Sequence, residues 1–573
     1  MLPKINRILY ATDLDPGAPY VFRYALALAR QHEAEIIVVS ALEPLSNFAR
    51  SLVELHISHH QSEELHASAR DQVKEKLRQQ IAHLCARECC ADAQCSHRVA
   101  EICIVDDYPA RAILAAADDH AADLIIMGAH RHTILGDALL GTTTRKVLHA
   151  ARQPVLVVRI PGDLLTLGYD STPGIHHPPE LVVYPTSSEQ VQAAVQIAHN
   201  QRIPITPRGS GTGLSGGSIP ARGGMVLCLN RMNRIIEIDE ANLTATCQAG
   251  VITLDLFNAA AEKGLFYPPD PGSQKISSLG GNVMEDAGGL RGLKYGVTRD
   301  YVMALQVVLP DGSLIKTGGK SVKDVAGYAF KDLLVGSEGT LGIITEITVR
   351  LIPPPQTKRT FLAYFDDIPS AGLAVSRIIA AKIIPSTMEI MDRATINCVE
   401  DYVGIGLPRQ MAALLLIEVD GHPAQVAEEA AGVKGILEEV GAAEVYLAKD
   451  AEEAANLAAA RRTALSALAR VSPTTLLEDA TVPRSKLADT FALIEQLTEK
   501  YRLKVGTFGH AGDGNLHPTV LCDERDREEM DRAHAFYDEL YKQVLAWGGT
   551  VSGEHGIGIA KKEYLVRQLG SSG

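Results

Sequence analysis

No run of apolar residues in this 573-residue chain is long enough to span a bilayer as a helix. There is no surplus of positive charge either: 55 Lys and Arg stand against 69 Asp and Glu, a formal net charge of -14. That balance argues against nucleic acid or an anionic membrane surface as the main partner. The start, MLPKINRILYATDLD, breaks into charge before an apolar signal segment develops, so the expected location is cytoplasmic. The nine cysteines lack the paired spacing of a zinc ribbon and the repeated CxxC of a ferredoxin. Their one cluster, Cys85, Cys89, Cys90 and Cys95, reads as reduced thiols on and after a charged helix running from about Gln61 to Cys89. What remains is ordinary globular material, 46% hydrophobic and 22% charged, of a length that implies about two to four domains.

Residues 5 to 160 alternate strand and helix, from RILYATDL and YVFRYALALARQH to TTRKVLHAAR and PVLVVRI. This alternation predicts an α/β domain, a doubly wound parallel sheet with helices on both faces. Ligands of such sheets sit beyond the strand C-termini, where Asp13 and GAHRHTILGDALLGTT fall. The region resembles the universal stress protein family, whose ATP-binding members carry a glycine, two residues, a second glycine, nine residues, then glycine and Ser or Thr. Gly128, Gly141 and Thr142 fit, but Arg131 stands where the middle glycine belongs. A side chain there crowds a phosphate cradle. ATP binding and a purely structural or dimerising role, with a homodimer as one outcome, both stay open.

After Pro161 a Pro-, Gly- and Asp-rich linker leads to a second region. The loop RGSGTGLSGG contains Gly211, Gly213 and Gly216 in G-x-G-x-x-G order, but SIPARGGMVLCL cannot supply the helix that a Rossmann site requires. Two more small-residue segments follow, PPDPGSQKISSLGGNVMEDAGG and VGSEGTLGIITEITVRLIP. From about Thr357 strands and amphipathic helices predict an antiparallel sheet covered by helices. Within it, FGHAGDGNLHP carries Asp-Gly between extendable segments, the signal for a two-residue type I′ hairpin. That turn pairs His510 with His517, with Cβ atoms about 5 Å apart. Two imidazoles so placed either converge on one cation or decorate a sheet. A last motif, SGEHGIGIAKKE, lies near the C-terminus.

With these motifs in this order, residues 167 to 573 resemble the FAD-linked 2-hydroxy-acid oxidases and dehydrogenases, among them the glycolate oxidase catalytic subunit and D-lactate dehydrogenase. The resemblance implies three units: 1–160, the stress-protein-like domain; 161–355, an α+β FAD-binding domain of PCMH type; and 356–573, an α+β substrate and metal domain. It further implies that Arg208, Gly209, Ser210, Gly211, Thr212, Gly213, Leu214 and Ser215 wrap the FAD pyrophosphate. Pro271, Ser273, Ser278, Gly281, Asn282 and Gly288 border the ring and ribityl chain, and Glu338, Gly342 and Ile344 hold the other end. Asp286 departs from the Asn of related chains. The glycine loop holds no His or Cys, so FAD is expected to be noncovalent. By the same resemblance His510, His517 and Glu554 bind a divalent zinc, manganese or iron, His555 is the base, Arg461 takes the substrate carboxylate, and Asn515 hydrogen-bonds the substrate. Arg462 is the neighbour onto which the Arg461 assignment could slip, and Lys561 reads as a surface charge. With no iron–sulfur ligand set or quinone-binding span, electrons must leave to a separate acceptor: an iron–sulfur subunit, an electron-transfer flavoprotein or a quinone system. Every residue assigned to chemistry follows Arg208, so residues 1 to 160 are expected to be dispensable for it.

Overall fold

The computed structural model describes residues 4–13, 18–42, 74–75, 78–79, 82, 98–105, 107–128, 142–158 and 167–570. Most of the charged helix expected from Gln61, its four cysteines, Arg131 and Gly141 lie outside the described residues. The first sheet is wholly parallel, in the order Val99–Val105, Glu35–Ala41, Arg7–Ala11, Leu124–Gly128, Val155–Val158. Its central strand, RILYA, is buried on both faces, the pattern of a sheet covered twice by helices. Asp13 is exposed just past that strand.

The next region holds two sheets. Leu181–Val183, Met225–Cys228 and Ile205–Arg208 form a parallel three-stranded sheet. Leu314–Gly318, Val302–Val308, Ile343–Arg350, Thr244–Gln248 and Ile235–Asp239 form an antiparallel five-stranded one. The strand Ile205–Arg208 ends at the glycine loop, and helix Leu279–Glu285, capped by Ser278, carries the second small-residue segment. Asp286 closes that helix at φ +56°, and its carboxylate accepts from the backbone and side chain of Arg299 at 2.8 and 2.6 Å. Asp is one of the few residues that tolerates this left-handed position, so the departure from Asn preserves the turn.

The last region is built on an antiparallel sheet of eight strands. At its centre Thr387–Asp392 pairs with Lys504–His510, which pairs in turn with Asn515–Cys522. Helices cover one face through Phe361, Val375, Phe491 and Phe536, and the other through Ile396, Leu414 and Leu468.

One packing relation changes the expectation that residues 1 to 160 are dispensable. Val182, Tyr184, Val226 and Cys228 of the second region share a buried cluster with Leu9, Ile37, Ile125 and Val157 of the first. The alternate residues Met225 and Leu227 face the neighbouring core. The three-stranded sheet that delivers the glycine loop therefore shares one buried cluster with the strands and helices of the N-terminal domain. Exposing a buried side chain of valine size costs about 1.5–3 kcal/mol. A chain starting after Pro161 is thus expected to unfold at lower urea and to lose FAD; an unchanged unfolding midpoint and full flavin occupancy would contradict this.

Candidate active site

The FGHAGDGNLHP hairpin forms, but not in the expected register. His510 pairs with Asn515 and Phe508 with His517, so the connection is the four residues Ala511–Gly514 rather than the two-residue Asp-Gly turn. The difference is a shift of two, and strand side chains alternate with period two, so both histidines keep the same face. Their rings sit diagonally, 5.4 Å apart and nearly perpendicular. Gly514, at φ +75°, closes the loop.

The motif SGEHGIG is brought to this face by a residue that the sequence reading missed. The fully buried carboxylate of Asp479 accepts from Ser552 Oγ at 2.7 Å and from the backbone N–H of Gly553, Glu554 and His555 at 2.8–2.9 Å. Its other oxygen accepts from Asn515 Nδ2 at 2.5 Å. Glu338 holds the next turn, accepting from the N–H of Ile557 and Gly558 at 2.7 and 2.6 Å. Between these anchors Gly556 adopts φ +81°, and a Cβ there would lie 2.1 Å from Glu285 Oε2. Only glycine fits.

Glu554 consequently reaches both imidazoles: its Oε1 lies 2.9 Å from His510 Nε2 and 3.2 Å from His517 Nε2. One ligand atom from each of the three falls within 4.8 Å of the others, close enough for a single cation. The nitrogens and carboxylate suit zinc, manganese or iron(II). Burial opposes ionisation here, yet the two histidines hold Glu554 well below the usual carboxylate range. His510 is likewise disfavoured as a cation by burial but held well above its ordinary value by Glu389 and Glu554. His555 stacks on His517, rings 4.9 Å apart and 15° from parallel. Burial pulls its imidazole down to about 4, against the opposing pull of Asp479. At neutral pH it is uncharged and able to accept a proton.

A second missed residue, Glu389, lies behind His510. Its Oε1 is 2.6 Å from His510 Nδ1, and its Oε2 is 2.6 Å from Arg461 Nη2. All three side chains are buried. Arg461 Nε has no hydrogen-bond partner, and the guanidinium stacks on Phe508 at the cavity wall. A buried donor left in this state, on a cation already held by Glu389, suits an incoming carboxylate. Arg462 takes a different direction, pairing with Asp270 of the second region at 3.0 Å. The only sequence signal for Glu389 is an acid flanked by methionine and isoleucine within the strand TMEIMD.

These groups open onto one cavity of about 530 Å³. Its walls include Arg208 to Leu214, Pro271, Ser273, Ser278, Gly281, Asn282, Gly288, Glu338 and Ile344, and at the far end Arg461, His510, His517, Glu554 and His555. Its loops fit an extended cofactor: Gly209 admits Ser278 Oγ to within 2.1 Å of where a Cβ would stand, and at Gly288 Glu554 Oε2 would lie 2.6 Å from one, so neither wall has room for a side chain. Three expected residues do not line it. Ser215 is fully buried and its carbonyl accepts from Ile559 and Ala560 N–H. A Cβ on Gly342 would meet Val307 instead. Asn515 spends its amide on Asp479 and Thr481, so it orders the loop rather than facing the cavity. Lys561 is not a surface charge: it is 2% exposed, donating to the Val551 carbonyl at 3.0 Å and paired with Glu478 at 3.1 Å. Glu285, beneath the glycine loop, is raised to about 8 by burial, Glu338 and Asp170.

Comparison with known proteins assigns these regions. Residues 354–573 match the family of FAD linked oxidases, C-terminal domain, residues 179–318 the FAD binding domain, and residues 4–159 the Universal stress protein family. The chain is 52% identical over 409 residues to the glycolate oxidase subunit GlcD of Bacillus subtilis, covering 71% of this chain and 87% of that one. It is 40% identical to GlcD of Escherichia coli K12 (69% and 79% covered) and 36% identical to a D-lactate dehydrogenase of Anaerostipes hadrus (68% and 84%). Among solved structures, p-cresol methylhydroxylase aligns with a TM-score of 0.60 at 18% identity over 72% of this chain and 88% of its own, a likeness of fold. With a flavin-sized cavity between the two matched regions and a relative more than half identical across both, the chain belongs to the FAD-linked oxidases, carrying a universal stress protein domain at its N-terminus.

Proposed function

We propose that the chain oxidises a short 2-hydroxy acid, glycolate or D-lactate, to the 2-oxo acid and passes the electrons to a separate acceptor. The observation that carries this reading is the convergence of His510, His517, Glu554, His555 and Arg461 on the cavity that the FAD loops line. FAD supplies the hydride acceptor, and it is held without a covalent bond because Arg208 to Ser215 offer no His or Cys. His510, His517 and Glu554 are the residues that would hold a divalent cation, which supplies a Lewis acid able to lower the pKa of a hydroxyl. Arg461 pairs with the substrate carboxylate, its planar fork matching two oxygens. Glu389 fixes both that guanidinium and the His510 ring, so the carboxylate-binding and cation-binding groups share one anchor. The neutral His555 imidazole removes the hydroxyl proton, and the hydrogen on the α carbon leaves with its electron pair, so the carbon–oxygen bond becomes a carbonyl. The electrons then pass to an iron–sulfur subunit, an electron-transfer flavoprotein or a quinone system.

The test is the visible spectrum of the purified protein under anaerobic conditions. Glycolate or D-lactate is expected to bleach the flavin band, and L-lactate to leave it in place. No bleaching by any short 2-hydroxy acid would refute the assignment.

A further inference from the structure

The N-terminal domain carries a second cluster of metal-ligating side chains, remote in sequence from the flavin cavity and sharing no residue with it. Glu101 and Cys103 alternate on the edge strand Val99–Val105, which puts them on one face of the sheet. His120 follows the helix Pro109–Asp119 as its C-cap. Its Nε2 lies 3.5 Å from Cys103 Sγ, and its Nδ1 lies 3.7 Å from Glu101 Oε2. One ligand atom from each of the three falls within 4.8 Å of the others.

We propose that Glu101, Cys103 and His120 form a zinc-type metal site on the N-terminal domain, with solvent completing the coordination. The separation of sulfur and nitrogen supports this. With Zn–S near 2.3 Å and Zn–N near 2.0–2.1 Å, the S···N edge of a tetrahedron is about 3.5 Å. Cys103 and His120 already stand at that distance, and the half-exposed Glu101 needs only a side-chain adjustment. A thiolate, an imidazole and a carboxylate together select zinc or a neighbouring transition metal over magnesium or calcium. The helix C-terminus at His120 also favours a cation.

The same three residues in order, Cys–His–Glu, invite comparison with a nucleophile triad. Burial and Glu101 push the Cys103 thiol up to about 11, against a smaller pull from Arg78. A thiol so fully protonated is a poor nucleophile. Binding a divalent ion reverses this: the Cys103 thiol gives its proton to solvent, the thiolate bonds the metal, and the repulsion between Glu101 and the thiolate becomes shared attraction to the ion.

The experiment uses the full-length holoprotein, stripped with a chelator and dialysed against zinc(II), with cobalt(II) as a spectroscopic stand-in. Cobalt difference spectra against the cobalt-free holoprotein should show a thiolate-to-metal charge-transfer band. The set His510, His517 and Glu554 contains no sulfur and cannot produce it, so the outcome is independent of the function proposed above. The band is expected to vanish in Cys103→Ser, and zinc affinity to fall at least about tenfold in Cys103→Ser, His120→Ala and Glu101→Gln. Zinc should also protect Cys103 from alkylation, read by mass spectrometry. Cysteines 85, 89, 90 and 95 lie outside the described residues, so the Cys103→Ser control is decisive. A band that survives undiminished in that variant, no band at all, or zinc binding as tight as in the wild type in all three variants overturns the site.

Discussion

Replacing His555 with alanine is expected to slow anaerobic flavin reduction by roughly two to four orders of magnitude, the range for a positioned general base. FAD and metal content should remain at wild-type levels. FAD is held by loops on other elements, and the proposed cation ligands are His510, His517 and Glu554; His555 Nε2 stands farther from Glu554 Oε1, at 3.8 Å, than the two ligand imidazoles at 2.9 and 3.2 Å. The expected loss is in the chemical step, because the hydroxyl proton then has no acceptor in the cavity wall beside His517. A variant that reduces at the wild-type rate would show that another group, or solvent, takes that proton. Single-turnover bleaching, with elemental analysis of the same sample, separates these outcomes.

Asp479→Ala should act more broadly. In the native chain one oxygen of this buried carboxylate collects a hydroxyl and three consecutive backbone N–H groups, and the other collects the Asn515 amide. Removing it leaves five donors without this acceptor, and each one that stays shielded from water typically costs about 1–3 kcal/mol. The backbone of Glu554 and His555 loses its anchor at the same time, so the cation set and the base are both displaced. The expected result is a lower unfolding midpoint for the C-terminal region and metal affinity reduced by about 10–100-fold, the range for losing a group that orients ligands. Asp479→Asn, which keeps one acceptor oxygen, should fall between the two. Equal metal content and an unshifted midpoint in both variants would contradict the anchoring role.

The elements that carry the chemistry were legible because each has a local signature. The alternation of strand and helix up to Val158 announces a parallel sheet, and the glycine loops announce a backbone that must approach a ligand closely. The hairpin was legible as a hairpin, but its register was not. Asp-Gly favours a two-residue turn, yet Gly514 and the tight contacts around Gly509 and Gly512 accommodate a four-residue one. What lay beyond the sequence was the support. Asp479 and Glu389 are acids among 69, distinguished only by donors that come from distant segments. Lys561 looked like a surface charge in a lysine pair and proved buried, because Glu478 and the Val551 carbonyl wait for it. Adjacent Arg461 and Arg462 are equivalent in sequence. Only the fold sends one to Glu389 and the other to Asp270. The shared core between the N-terminal domain and the sheet that delivers the glycine loop is a tertiary fact of the same kind.

The central claim is that a cation on His510, His517 and Glu554 works together with the flavin loops on a 2-hydroxy acid. Its most direct test is anaerobic bleaching by glycolate or D-lactate before and after chelation, with metal and FAD counted in each sample. The account predicts that the chelated protein keeps its FAD, loses rapid bleaching, and regains it when zinc, manganese or iron(II) is returned. A chelated protein, verified to be metal-free, that bleaches at the untreated rate would contradict it.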